Sequence, residues 1–195
     1  MQQAIFFHGN FQNAEFFRLN RKLYKFENEL IQLGYTCHFI DGFYKQNRIN
    51  NNCQNPRNWF NDETSIDEHH QLIKDMLKKY NIKNSQELIL VGFSAGALFI
   101  DYIVRHNFLN HSNIKCIFCG LNGTVTYNLQ IPQVSSFHII GINDEFVSIK
   151  YAKQIYKKWK KRNKYTFVLY HSKKHCFPMN QKIISELVRF IRTNS

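Results

Sequence analysis

Two patterns of hydrophobic and polar positions alternate along the chain. Short apolar runs bounded by polar residues or glycine predict strands at 4–8 (AIFFH), 35–40 (YTCHFI), 88–91 (LILV), 115–120 (KCIFCG), 136–141 (SFHIIG) and 165–170 (YTFVLY). Between them, apolar residues recur at helical spacing. One such stretch runs from about Glu15 to Leu33 and stops at Gly34, a glycine suited to a C-terminal cap. Others place Ile66, His70, Ile73 and Leu77 on one stripe, and Ile149, Ala152, Ile155, Tyr156 and Trp159 on another, with "ALFIDYIVRH" and "NQKIISELVRFI" supplying two more. Strand and helix in alternation predict an α/β fold: a doubly wound, mostly parallel sheet of about six strands, covered by helices on both faces. Ligands of such sheets sit at the carboxyl ends of the strands.

No Pro-, Gly- or Ser-rich linker and no internal repeat interrupts the pattern, so one domain spanning residues 1–195 is expected, without a separate lid. The exception to the alternation is residues 41–63. That segment is polar, has little periodicity and exceeds an ordinary connection, which makes it a long loop expected to lie over the active site.

The segment "ELILVGFSAGALF" brings chemistry into the picture. An apolar run leads into G-x-S-x-G and then into an apolar helix, the context in which this pattern forms a nucleophile elbow. Gly92 and Gly96 lack the side chains that would keep strand and helix apart, and the tight corner presents the Ser94 hydroxyl. A serine hydroxyl attacks only if a base removes its proton, and the imidazole that does so needs a carboxylate to fix its tautomer. In an elbow architecture the partners follow in the order acid, then histidine. Asp144 follows the strand "SFHIIG", with Gly141 available for a turn; Glu145 is adjacent, one residue of slip away. Asp101 lies two turns along the nucleophile's own helix, about 10 Å away at 1.5 Å per residue, and is expected to be a surface charge. After the last strand, "YHSKKHCFP" offers His171 at the strand end and His175 in the loop beyond, where it can reach across the sheet top. His175 is the favoured base. Cys176 is a weaker alternative nucleophile, because no elbow surrounds it.

The tetrahedral intermediate needs two N–H donors. Ala95, at the start of the helix after Ser94, is one source, and Asn10, after the strand-ending His8–Gly9, is the other; the same residues would also serve as a plain strand-ending turn. Phe11, Phe43, Trp59, Phe60, Phe93 and Phe177 are candidates for an apolar acyl pocket, although aromatics at 15% of residues also serve core packing.

Charge changes the picture less than its size suggests. The formal net charge is +12, which favours anionic partners. Lysines and arginines are spread along the chain, however, and the dense run "YKKWKKRNK" forms the wet face of the helix containing Trp159. No zinc-finger spacing, RRM signature or KH-type loop points to specific nucleic-acid recognition, so weak attraction to anionic surfaces is the expectation. Five cysteines, an odd number, fit free thiols better than a disulfide framework. Cys116 and Cys119 form a lone C-x-x-C whose members would point to opposite faces of a strand, so no metal is expected. The N-terminal "MQQAIFFHGN" lacks a signal's basic and apolar regions, and no run of about eighteen apolar residues occurs, giving a cytoplasmic expectation.

Taken in order, "FFHGNFQNAEFF", "LGYTCHFIDG", "RNWF", "GFSAGA", "HIIGINDEFV" and "HCFP" resemble the elements of the FSH-type family of serine hydrolases within the α/β-hydrolase superfamily. The likeness covers nearly the whole chain. It implies the α/β-hydrolase fold, with Ser94, Asp144 and His175 as nucleophile, acid and base, and Asn10 and Ala95 as oxyanion donors. It also implies action on small-molecule carboxylic esters or thioesters through an acyl-enzyme, without a cofactor. Three positions depart from the family pattern: Ala95 replaces a glutamine, Phe60 a second tryptophan, and Lys173 and Lys174 stand where small residues usually precede the histidine. The altered histidine loop motivates an alternative reading, a catalytically weak hydrolase-fold protein that binds anionic partners through its basic surface.

Overall fold

The structure, a computed structural model, describes residues 2–20, 23–46, 53–82, 87–109, 114–121 and 129–193. Within them the chain forms β1 (Gln2–Phe7), α1 (Ala14–Asn20), α2 (Tyr24–Gln32), β2 (Tyr35–Ile40), β3 (Tyr44–Lys45), β4 (Arg57–Asn58) and α3 (Ile66–Lys79). It continues through β5 (Leu88–Phe93), α4 (Ala95–Arg105), β6 (Ile114–Cys119), β7 (Ser135–Gly141), α5 (Ile149–Arg162), β8 (Thr166–His171) and α6 (Gln181–Arg192). Six strands pair in parallel in the order β2-β1-β5-β6-β7-β8, and β3 and β4 form a small antiparallel pair outside that sheet.

Burial follows from this order. The central strands β5, β6 and β7 are buried at every position, as a sheet covered on both faces requires, while the edge strand β8 alternates with exposed residues such as Phe167 and Tyr170. One core layer packs Phe17, Phe26 and Leu30 of α1 and α2 with Ile184 and Leu187 of α6 against one face of the sheet. The other packs Ile73 of α3, Phe99 of α4 and Trp159 of α5 against the opposite face. Cys116 belongs to the second layer and Cys119 to the first, so the C-x-x-C pair does point to opposite faces.

Three local expectations are corrected. The single helix expected over 15–33 is two helices, α1 and α2. In one continuous helix Leu23 would be rotated roughly 240° from Phe17, at about 100° per residue; breaking the helix lets both face the sheet, where each is fully buried. Gly34, with φ of +88°, still ends α2. Asp101 is a core residue rather than a surface charge: its carboxylate pairs with Arg105 at 2.8 Å, and the Arg105 guanidinium also donates to the Leu129 carbonyl. Within the long segment 41–63, the described residues 41–46 and 53–63 carry the β3–β4 pair, and Arg57 N–H donates to the Gln12 carbonyl, tying the excursion to the loop after β1.

Candidate active site

β1 and β5 are neighbours, yet from β1 the sheet extends to β2 and from β5 to β6, so the loops leaving their carboxyl ends part at a topological switch point. The loop after β5 is the elbow. Ser94 has φ of 53° and ψ of −115°, a conformation foreign to β-strand and helix alike, at a cost on the order of 1–3 kcal/mol. Contacts hold it there: its N–H donates to the Cys119 carbonyl at 2.8 Å, and its carbonyl accepts from Leu98 in the first turn of α4. Both glycines are sterically required. A Cβ at Gly92 would come within 2.7 Å of the Ala97 backbone, and one at Gly96 would overlap the Phe7 carbonyl.

Asp144 leaves β7 three residues beyond its last position and turns back beneath it. Its Oδ1 accepts the N–H groups of Phe146 and Val147, each at 2.9 Å, which leaves Oδ2 to face His175 Nδ1 at 2.7 Å. The aspartate side chain is 4% exposed and the histidine 13%. Between the two candidate acids and the two candidate bases the geometry is plain. Glu145 points outward to pair with Lys174 in an exposed contact, and His171, whose pKa burial lowers, stays at the end of β8. Gly141 contributes space rather than a turn conformation, since a Cβ there would crowd the Asp144 Cβ at 3.1 Å.

The sequence reading did not single out Gly120, which follows β6 with φ of +62°. A Cβ on it would lie 3.0 Å from His175 Cε1 and 3.8 Å from Asp144 Oδ2, so only glycine admits the pair at this point. Phe93 pairs with Cys119 across β5 and β6, which puts Ser94 about one strand spacing, roughly 5 Å, from Gly120. The imidazole also leans on Phe93, ring centroids 4.8 Å apart, and Phe93 immediately precedes the serine. His175 and Asp144 thus meet over the ends of β6 and β7, beside the strand that leads into Ser94.

The loop after β1 is fixed from within. His8 is fully buried; its Nε2 accepts the Gly42 N–H at 2.9 Å, so Nδ1 carries the proton and donates to the Gly9 carbonyl at 2.7 Å. Burial lowers its pKa to about 4 and keeps this tautomer neutral. The Trp59 indole N–H donates to the His8 carbonyl at 2.8 Å, and Gln12 Oε1 accepts the Gly9 N–H at 3.1 Å. Asn10 follows at the surface, its side-chain oxygen accepting the Phe11 N–H. Ala95, first residue of α4, has an N–H with no acceptor inside the helix.

The family model for "Serine hydrolase (FSH1)" matches residues 1–187. The chain belongs to that family. No curated protein matches it. Among solved structures, the FSH1-family chain is similar to Arabidopsis thaliana SOBER1, with a TM-score of 0.71 at 13% identity over 98% of this chain and 97% of that one. It is also similar to YahD solved with malic acid, TM-score 0.68 at 15% identity over 100% and 94%, and to the Pyrococcus furiosus esterase Pf2001, 0.67 at 16% over 98% and 82%. At such identities the likeness establishes the α/β-hydrolase fold. No helix among the described residues is long and apolar enough to cross a membrane.

The six aromatic residues expected to line an acyl pocket of this FSH1-family hydrolase separate into two groups. Phe11 and Phe60 line an open groove of about 530 Å³ beside Asn10, together with the polar Lys45, Asn58 and Asn61. Trp59, Phe93 and Phe177 are at most 3% exposed and fill the core. Trp59 stacks on Phe99 with centroids 4.6 Å apart, Phe43 meets the same ring at 5.6 Å, and Phe93 and Phe177 each lie 6.2 Å from Phe17. Their burial has a plain cause: large rings next to an elbow made of glycines are the material that fills the volume beneath it. His8 and Gln12 stand within "FFHGNFQNAEFF", quoted above for its resemblance, but were given no role of their own; for Gly120, a glycine at the end of an apolar run was the local signal.

Proposed function

We propose that this serine hydrolase cleaves carboxylic esters or thioesters through Ser94, His175 and Asp144. The observation that carries the reading is the 2.7 Å contact between Asp144 Oδ2 and His175 Nδ1, made beside a serine held at φ of 53°. Asp144, its other oxygen already engaged by two N–H groups, accepts a hydrogen bond from Nδ1–H, which keeps the proton on Nδ1 and leaves Nε2 as the basic nitrogen. Ser94 Oγ attacks the carbonyl carbon as Nε2 takes its proton. The N–H groups of Ala95 and Asn10 stabilise the oxyanion, each contributing about 3 kcal/mol to the barrier reduction. Collapse of the intermediate expels the alcohol or thiol, which leaves with the proton from His175. A water molecule, deprotonated in turn by His175, then attacks the acyl-enzyme and frees Ser94 with release of the acid. The groove between Phe11 and Phe60, adjoining Asn10, is suited to one arm of the ester, with Phe43 and Trp59 as the packed floor behind it.

A panel of p-nitrophenyl esters and matching thioesters of increasing acyl length tests this. Hydrolysis with a burst of the first product is expected, and none from Ser94→Ala. Hydrolysis that survives that substitution overturns the proposal.

A further inference from the structure

Several large apolar side chains are exposed among the described residues, and the most exposed of them stands at the candidate active site. Phe146 is 70% exposed, with its ring 5.2 Å from that of His175. Ile142, 50% exposed, begins the same turn. Neither is loosely placed. The Ile142 N–H donates to the His171 carbonyl at 2.8 Å, and Asn143 Nδ2 donates to the Ser172 carbonyl at 2.7 Å, joining the acid loop to the histidine loop. Val147 anchors the turn by packing with Ile140 and Ala152. The backbone therefore holds two apolar side chains in water at a cost that burial elsewhere would have avoided.

Cations stand on the neighbouring elements. Lys173 and Lys174 are exposed on the histidine loop, and Lys153 of α5 lies over the ring of Tyr170, itself 41% exposed, at 5.5 Å. Of the two carboxylates on the acid loop, Glu145 is exposed and already paired with Lys174 at 3.2 Å, and Asp144 is turned inward to His175. Exposed apolar side chains beside exposed lysines match a boundary that is anionic at its surface and hydrocarbon just beneath. A folded acidic protein would complement the lysines but would need a matching recess for each apolar side chain. A net charge of +12 adds long-range attraction of the same sign.

We propose that this rim docks the enzyme on an anionic lipid surface, with Phe146 and Ile142 entering the acyl boundary and Lys153, Lys173 and Lys174 contacting head groups. Docked so, the proposed catalytic groups face the lipid layer, and an ester held there would reach Ser94 without crossing bulk water; this last step rests on the function proposed above.

Co-sedimentation of Ser94→Ala with vesicles of phosphatidylcholine alone, or mixed with phosphatidylglycerol, reads docking apart from catalysis. Binding is expected to the mixed vesicles only, to weaken at 0.5 M salt, to fall about fivefold for each of Lys173→Gln and Lys174→Gln, and to fall further in Phe146→Ser. In the otherwise native enzyme Ile142→Ser should reduce hydrolysis of a vesicle-borne ester while leaving that of soluble p-nitrophenyl acetate unchanged. Absence of binding to anionic vesicles, or binding that both Ile142→Ser and Phe146→Ser leave untouched, overturns the proposal; capture by an acidic polypeptide without vesicle binding overturns it in favour of a protein partner. Vesicle binding by a chain that hydrolyses no ester would sink the proposed activity and leave the docking surface standing.

Discussion

The loop after β1 and the loop after β8 flank the same serine but are held by different means. The first is anchored in the core: His8 is fully buried, Trp59 caps its carbonyl, and Gln12 holds the Gly9 amide. The second is fastened at the surface by Asn143 and by the exposed Lys174–Glu145 pair, and enters the core at its far end, at Phe177 and Pro178. The proposed roles suit this difference: an amide donor, as proposed for Asn10, acts without reorganisation only if its loop is fixed in advance. A base, as proposed for His175, must accept and release protons through the cycle, and one carboxylate, Asp144, suffices to align it. Damage to the first loop should therefore appear as lost stability, and damage to the second as lost rate.

The largest effect tests the second half of that comparison. Asp144→Asn should lower kcat by about 10⁴-fold, by removing the acceptor that fixes the imidazole tautomer, with little change in the thermal midpoint. Steady-state kinetics and calorimetry on the same preparation read both. Trp59→Ala should do the reverse, costing about 3–5 kcal/mol in urea unfolding because a fully buried ring is lost and the His8 carbonyl is left without its donor.

What the sequence made legible, and what it did not, follows the same division. Strands β1, β5, β6 and β7 were legible within a residue or two of their observed ends because their apolar runs report burial directly, and the elbow because its glycines mark a local steric need. Asp144 and His175 were singled out by chain order and by nearness to strand ends, and the structure puts them in hydrogen-bond contact. The clamp of His8, Gln12 and Trp59 was not legible, since it joins residues about fifty positions apart through hydrogen bonds that no periodicity encodes. The same holds for Asp101: a charged residue in a helix reads as wet until its partner, Arg105, is seen to fold into the core beside it. The break between α1 and α2 was hidden because both halves carry apolar residues at helical spacing, and only the sheet decides which of them must share a face.

Acid should act on the anchored loop next. Burial holds the His8 pKa at about 4, and that of His138 at about 3, whereas an unfolded imidazole takes up a proton near 6.5. Between these values the unfolded chain binds more protons than the folded one, so stability falls as the pH drops from about 6.5 towards 4, by about 3 kcal/mol for His8 alone. Urea midpoints across that range check it, and His8→Asn should flatten the slope. The smallest effect belongs to the surface fastening: Lys174→Ala removes a pair whose side chains are 76% and 54% exposed, and the thermal midpoint should not move measurably.

The proposed joint action of Ser94, His175 and Asp144 is tested most directly by a fluorophosphonate probe followed by peptide mapping. The account expects a single phosphonyl adduct on Ser94, abolished in Ser94→Ala and slowed by several orders of magnitude in His175→Ala. An adduct that persists in Ser94→Ala, or maps to Cys176, would contradict it.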